Sequence, residues 1–155
     1  MAPDPFEAYQ DDVSIPDSEL LYRMITSGNT KFEAGAAVRP QSNAFQDRRA
    51  EELPSLGVPA VAVSVYLESE MTKVSTTPAD LVQRWGDAYG VASISAGEVR
   101  QAEQGVVRWP QPNHPEHGMV FALVGSKKTN GKSSKLAKAA KIVIPPPSPP
   151  STGAG

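Results

Sequence analysis

The sequence contains no cysteine. That excludes disulfide scaffolds, thiolate zinc and iron–sulfur sites and cysteine nucleophiles, and it leaves the redox compartment open. Histidine is scarce, with two residues, and aromatic side chains make up only 6% of the chain. No stretch approaches the roughly 18 apolar residues that a membrane-spanning helix needs. The opening MAPDPFEAYQDD has neither the basic segment nor the apolar run of a secretory signal, so the expectation is a cytoplasmic protein with no membrane partner. What is present is 155 residues, 39% hydrophobic and 21% charged, with a net charge of −2. That length favours one domain, which can bury roughly 70% of its unfolded surface and so needs no cross-link.

Charge of each sign is missing from one end. Residues 1–19 carry six acids and no base, and everything after Glu116 carries six lysines and no acid. Five of the fifteen prolines fall within PPPSPP at 145–150, followed by STGAG. Proline lacks an amide donor and fixes φ, so this stretch favours an extended rod with a flexible end. The expected organisation is an acidic flexible arm at 1–15, a single globular domain at 16–144 and a proline-rich flexible tail at 145–155, with no internal repeat.

Within the globular unit, Asp17 or Ser18 followed by Leu20, Leu21, Met24 and Ile25 has the cap and spacing of a short helix. Residues 27–56 are polar and rich in Gly, Pro, Asn and Ala. They read mostly as loop anchored by Phe32, Val38 and Phe45, with a helical turn near 45–52. Residues 58–67 alternate Val61, Val63, Val65 and Leu67 with Ala60, Ala62, Ser64 and Tyr66, a strand with both faces largely buried. Thr77, Pro78 and Asp80 supply a cap, a first-turn proline and a first-turn acid for a helix through Leu81, Val82 and Trp85, closing near Gly86. Further strands are expected at 90–95, 106–109 and 119–124. Ser133 or Ser134 can cap a helix with Leu136, Ala139 and Ala140 inward, before an extended 142–144. Strands and helices without a regular βαβ repeat predict an α+β fold, one mainly antiparallel sheet with two to four short helices.

Several motifs invite chemistry. GSKKTNGKSSK follows an apolar strand as a phosphate loop would, but Gly125 and Gly131 enclose five residues rather than four, and a lysine-rich turn is the plainer reading. His114 and His117 flank Pro115, which disfavours a helix that would align them on a metal, so neither a metal nor a cofactor is expected. Arg84–Trp85 and Arg108–Trp109 pair a cation with a stacking ring, yet neighbours in sequence point apart on either a strand or a helix, which favours core or half-buried tryptophans. The lysines from 127 to 141 offer an anionic partner a docking surface, with nucleic acid a weaker expectation than protein. The tail carries P-x-x-P at Pro146–Pro149 and Pro147–Pro150.

Leu21-Tyr22-Arg23, Ser42 in QSNAF, and Glu68 and Glu70 in SVYLESE are similar to the arginine, serine and glutamate order of ADP-ribosyltransferase-like folds. That similarity implies an arginine on the NAD pyrophosphate and a glutamate on a ribose hydroxyl. More broadly, LLYR, RPQSNAFQD, AVSVYLE, AGEVRQ and HPEHGMVFALVGSKKT resemble pieces of a group of short, uncharacterised bacterial proteins. The resemblance spans most of the globular unit and implies a bacterial origin and a self-contained domain, without an assigned reaction. It makes Arg23, Ser42, Arg100 and His117 the polar residues to follow, at the ends of expected elements. The plainer alternative pairs Arg23 and Arg100 with Glu98 or Glu103 and uses Ser42 to cap a turn.

The leading expectation is a non-enzymatic interaction protein that binds a protein partner through its charged and proline-rich ends. Lys127, Lys128, Lys132, Lys135, Pro146, Pro147, Pro149 and Pro150 would make those contacts. An NAD-using enzyme built on Arg23, Ser42, Glu68, Glu70 and His117, or a weak electrostatic nucleic-acid binder, are the alternatives.

Overall fold

The computed structural model describes residues 11–45, 62–122 and 130–148. Leu20–Thr26 forms the first strand, β1, where a helix was expected. The apolar spacing misleads because β1 is an inner strand buried on both faces. Leu21, Arg23 and Ile25 point to one side and Tyr22 and Met24 to the other, so apolar residues recur without strict alternation. Next, β2 (Thr30–Glu33) and β3 (Ala36–Pro40) make a two-stranded hairpin in the stretch expected to be loop. Its turn places Ala34 at φ 52° and Gly35 at φ 81°, the two left-handed positions of a tight hairpin. Alanine in the place usually held by Asn or Asp hides that turn in the sequence. A 3₁₀ turn, Ser42–Phe45, follows and buries Phe45.

The remaining order is β4 (Val63–Leu67), α1 (Glu68–Lys73), α2 (Pro78–Trp85), β5 (Tyr89–Ser95), α3 (Ala96–Gln101), β6 (Gln104–Arg108), β7 (His117–Ala122), α4 (Asn130–Ala139) and β8 (Lys141–Ile144). The α2 start is as expected: Thr77 Oγ1 accepts from the Asp80 amide and Asp80 reciprocates on the Thr77 amide, with Gly86 closing the helix. Helix α3 was not foreseen, although Ser95 and Glu98 form the same reciprocal cap. Helix α1 was also missed, because its own N-cap, Leu67, has no capping side chain. The carboxylate of Glu19, 50 residues away, accepts from the Ser69 amide instead. Helix α4 begins at Asn130, ahead of the expected cap at Ser133.

Six strands form one antiparallel sheet in the order β6-β7-β4-β1-β5-β8. The fold is α+β. One face carries Leu21, Ile25, Val63, Val65, Leu67, Ile94 and Val120 and is covered by Phe45, Val99 of α3 and Leu136 of α4. The other face carries Tyr22, Met24, Tyr66 and Val91, covered in part by Met71 of α1 and Leu81 of α2. Among the described residues no helix is long and apolar enough to cross a membrane.

The packed body reaches beyond both expected limits of the domain. Ile15 is wholly buried in the main core rather than part of a flexible arm. The Asp12 amide donates to the Val106 carbonyl, and Asp11 accepts from the Val106 amide, so this segment seals the outer edge of β6. Arg100 pairs with Asp11 and Asp17, and Arg108 with Asp12 and Glu70. These acids are drawn in because they satisfy both the strand edge and two arginines. At the other end Pro146 is buried and the Ser148 hydroxyl donates to the Gly35 carbonyl.

Candidate functional site

The site arises where two strands part. β1 pairs with β5 along its whole length, from Leu20↔Ser95 to Thr26↔Tyr89, but with β4 at only Leu21↔Leu67 and Tyr22↔Tyr66. Beyond that point β4 stays with β7, through Ser64↔Met119 and Val63↔Val120. The carbonyl of Ser64 is satisfied by a side chain instead of a strand partner: Arg23 Nη1 donates to it at 3.2 Å, while Nε donates to the Ala44 carbonyl at 2.8 Å. Arg23, 7% exposed, thus bridges the gap as a wedge between β1 and the 3₁₀ turn.

Above this wedge lies a pocket of about 290 Å³. Arg23, Met24, Thr26 and Asn29 come from the β1 side, and Ser64 and Tyr66 from β4. His114 and His117 close one wall, and Trp85 and Tyr89 the mouth. The Asn29 side chain accepts from the Thr26 amide at 2.8 Å and fixes the rim at a second 3₁₀ turn, Ser27–Asn29, which follows β1. Trp85, 44% exposed, lies with its ring 5.6 Å from that of Tyr89, and its indole N–H donates to the Tyr66 hydroxyl at 2.8 Å. Tyr66 therefore keeps its own O–H to give. Burial, ahead of any charge, raises its pKa, so it stays a phenol.

His117 stands opposite Tyr66 across β4 and β7, the rings edge-on at 6.1 Å. Its Nδ1 is 2.8 Å from the Trp109 carbonyl, which can only accept, so Nδ1 carries the hydrogen and Nε2 the lone pair. Burial is the main cause that pushes its pKa below the usual 6.5. His114 pushes the same way, while the Trp109 bond and Glu116 oppose it. His117 Nε2 and Ser64 Oγ are both buried without a hydrogen-bond partner among the described residues. Two such atoms in residues lining one pocket are uncommon, because an unpaired buried polar group costs about 1–3 kcal/mol.

The wall is held by a charge network. Glu116, wholly buried, accepts from Arg84 of α2, and Arg84 Nη1 lies 2.9 Å from His114 Nδ1. Arginine only donates, so His114 accepts at Nδ1. The network ties the segment before β7 to the helix that presents Trp85.

Of the residues singled out from the sequence, Arg23 and His117 meet in this pocket. His114 and Trp85, from motifs read as structural, line it as well, whereas Ser42, Glu68, Glu70 and Arg100 do not. Ser42 opens the 3₁₀ turn and faces a separate groove with Lys31, Arg39 and Ser134. Glu68 is exposed on α1 beside the Tyr22 hydroxyl, and Glu70 accepts from Lys73 at 3.0 Å and Arg108 at 3.2 Å. Arg100 is held by Asp11 and Asp17 rather than by Glu98 or Glu103, because Glu98 caps α3 and Glu103 pairs with Lys132 at 2.9 Å. The wider depression beside Arg100, about 590 Å³, is an open surface whose charged groups are thereby engaged.

Lys135 donates to the Gln101 carbonyl, Pro147 is exposed, and Pro146 is buried, so a P-x-x-P ligand starting at Pro146 would have to peel off the sheet. Ser133, within the GSKKTNGKSSK run, donates to the Phe45 carbonyl. Lys127, Lys128, Pro149 and Pro150 lie outside the described residues, as do most of the helical turn near 45–52 and the start of the 58–67 strand. Among the described residues no three His, Asp or Glu side chains gather as a metal site would need. Sequence reasoning missed Ser64, Tyr66 and Tyr89 as site residues. The signal was Ser64 and Tyr66, polar groups on an otherwise apolar strand.

Comparison of the chain with protein-family models, with curated proteins and with solved structures returns no match.

Proposed function

We propose that this protein works by binding, and that the pocket between β1 and β4 receives one small planar molecule or group. The observation that carries the reading is the pair of buried, unpartnered atoms, His117 Nε2 and Ser64 Oγ, in residues lining one aromatic-walled pocket. Such atoms are tolerated in a fold when a ligand completes them, and a few convergent polar groups on apolar walls are how small-molecule sites are built. The volume, about 290 Å³, lies at the lower end of the ~300–1,000 Å³ typical of such sites. It suits a single ring system rather than a whole dinucleotide. An NAD-transfer reading draws no support from Glu68 and Glu70, neither of which lines the pocket that holds Arg23.

Binding only to the folded form raises the melting temperature with ligand concentration. A library of neutral aromatic fragments, screened by ligand-observed NMR and thermal unfolding, should give saturable hits that Trp85→Ala weakens. A library without a single saturable hit would remove the reading.

A further inference from the structure

The polarity of the pocket narrows its occupant. This step rests on the binding reading above and asks which chemistry completes the walls. With Nδ1–H committed to the Trp109 carbonyl, His117 offers only an acceptor at Nε2, so the group facing it must donate. An anion or a bare carbonyl oxygen there would meet a lone pair. The Tyr66 hydroxyl accepts from Trp85 and retains a proton to donate, and the Ser64 hydroxyl can donate or accept. A carbonyl beside the donor fits these two. Arg23 lines the same pocket, and its fixed positive charge disfavours a cationic ligand. The half-exposed Trp85 beside Tyr89 provides aromatic surface for a flat π-system.

We infer that the pocket takes a neutral heteroaromatic ring bearing a lactam edge, a ring N–H next to a C=O, the edge shared by uracil, hypoxanthine and guanine. The N–H donates to His117 Nε2, the carbonyl accepts from the unpartnered Ser64 hydroxyl, and the ring lies against Trp85. The same edge can reach the pocket from a free base or nucleoside, or from an unpaired base of a single strand.

The test uses the full chain and isothermal titration with uracil, uridine, inosine, 1,3-dimethyluracil and a U8 oligonucleotide, followed in parallel by tryptophan fluorescence. The inference expects uracil, uridine or inosine to bind with at least tenfold preference over 1,3-dimethyluracil, which has the ring and carbonyls but no N–H. It expects at least tenfold loss in His117→Phe and in Ser64→Ala, the second guarding against a His117 variant that does not fold. Binding of U8 alone, lost in both variants, identifies the strand as the source and supports the inference equally. Binding of U8 that survives both variants would assign it to the lysines and overturn the inference. Equal binding of uracil and its dimethyl form, or binding of simple phenols with no lactam compound bound, sinks the lactam assignment and leaves the pocket reading standing. No binding by any of these compounds sinks the lactam assignment, and an empty fragment screen beside it sinks both.

Discussion

The two faces of the central sheet are finished to different degrees. On the face packed by α3 and α4, backbone and side chains meet so closely that two positions admit no Cβ. A side chain on Gly118 would lie 2.3 Å from Leu67 Cδ1 and 2.8 Å from the Val107 carbonyl, and one on Gly90 would lie 2.3 Å from the Ile144 carbonyl. On the opposite face α1 and α2 cover only Tyr22, Met24, Tyr66 and Val91, and next to them the protein leaves about 290 Å³ open, with two unpaired polar atoms in the residues that line it. Packing density is what stabilises a domain; Gln104 Oε1 and Glu116 Oε2 are buried without a partner too, so it is the open volume beside Ser64 and His117 that sets the second face apart. The contrast assigns stability to one face and recognition to the other, with Arg23 joining them through the gap between β1 and β4.

If that division holds, the largest effects belong to the closed face. Phe45→Ala should cost about 3–5 kcal/mol, the usual range for truncating a buried aromatic, because Phe45 is 1% exposed and fills the space between the 3₁₀ turn and the sheet. Chemical denaturation measures it, and a loss under 1 kcal/mol would show that this face is not the tight one. Gly90→Ala comes next, at about 1–3 kcal/mol for overpacking. The contact it creates is with the backbone of β8 and Pro146, which cannot rotate aside as a side-chain tip can. A melting temperature unchanged by this substitution would mean that β8 is free to move off the sheet.

A smaller effect is expected from acid. His117 titrates lower in the folded protein than its ordinary 6.5 because it is buried, so between those two values the unfolded chain binds more protons than the folded one. Stability is therefore full above about pH 6.5 and declines as the pH falls through that window towards the folded value. His114 and Glu116 face the same ring, so the comparison that isolates His117 is the slope of stability against pH in wild type and in His117→Phe. The variant should be flatter between pH 5 and 7. Equal slopes would place the proton uptake elsewhere.

The sequence reveals local rules better than tertiary ones. Thr77-Pro78-x-Asp80 announces α2 because the capping groups are three residues apart, and the valine alternation announces β4 because its neighbours share its period. β1 reads as a helix because burial on both faces erases alternation, and only the partners β4 and β5 reveal that. α1 is invisible because its cap comes from Glu19. At the site, Arg23 and His117 stand out as polar groups in apolar company. Their convergence depends on a strand order, β7-β4-β1, that no local pattern encodes. Glu68 and Glu70 look as promising in the string of letters, yet the helix that begins at Glu68 carries them off the pocket wall.

The least expensive substitution is the most telling about the open face. In a closed core, removing a serine hydroxyl usually removes a hydrogen bond as well and costs about 1 kcal/mol. Ser64 Oγ has no such bond to lose. Ser64→Ala should then change unfolding free energy by less than about 0.5 kcal/mol, in either direction, since it deletes an unpaired polar atom together with its desolvation penalty. The Ser64 carbonyl, which Arg23 holds, is untouched by the change, so the strand gap should keep its shape. A variant that is as stable as wild type but binds its ligand more weakly separates recognition from folding at a single atom. A cost above 1 kcal/mol would mean that the hydroxyl is already satisfied within the fold, and the pocket would lose one of the two groups that define it.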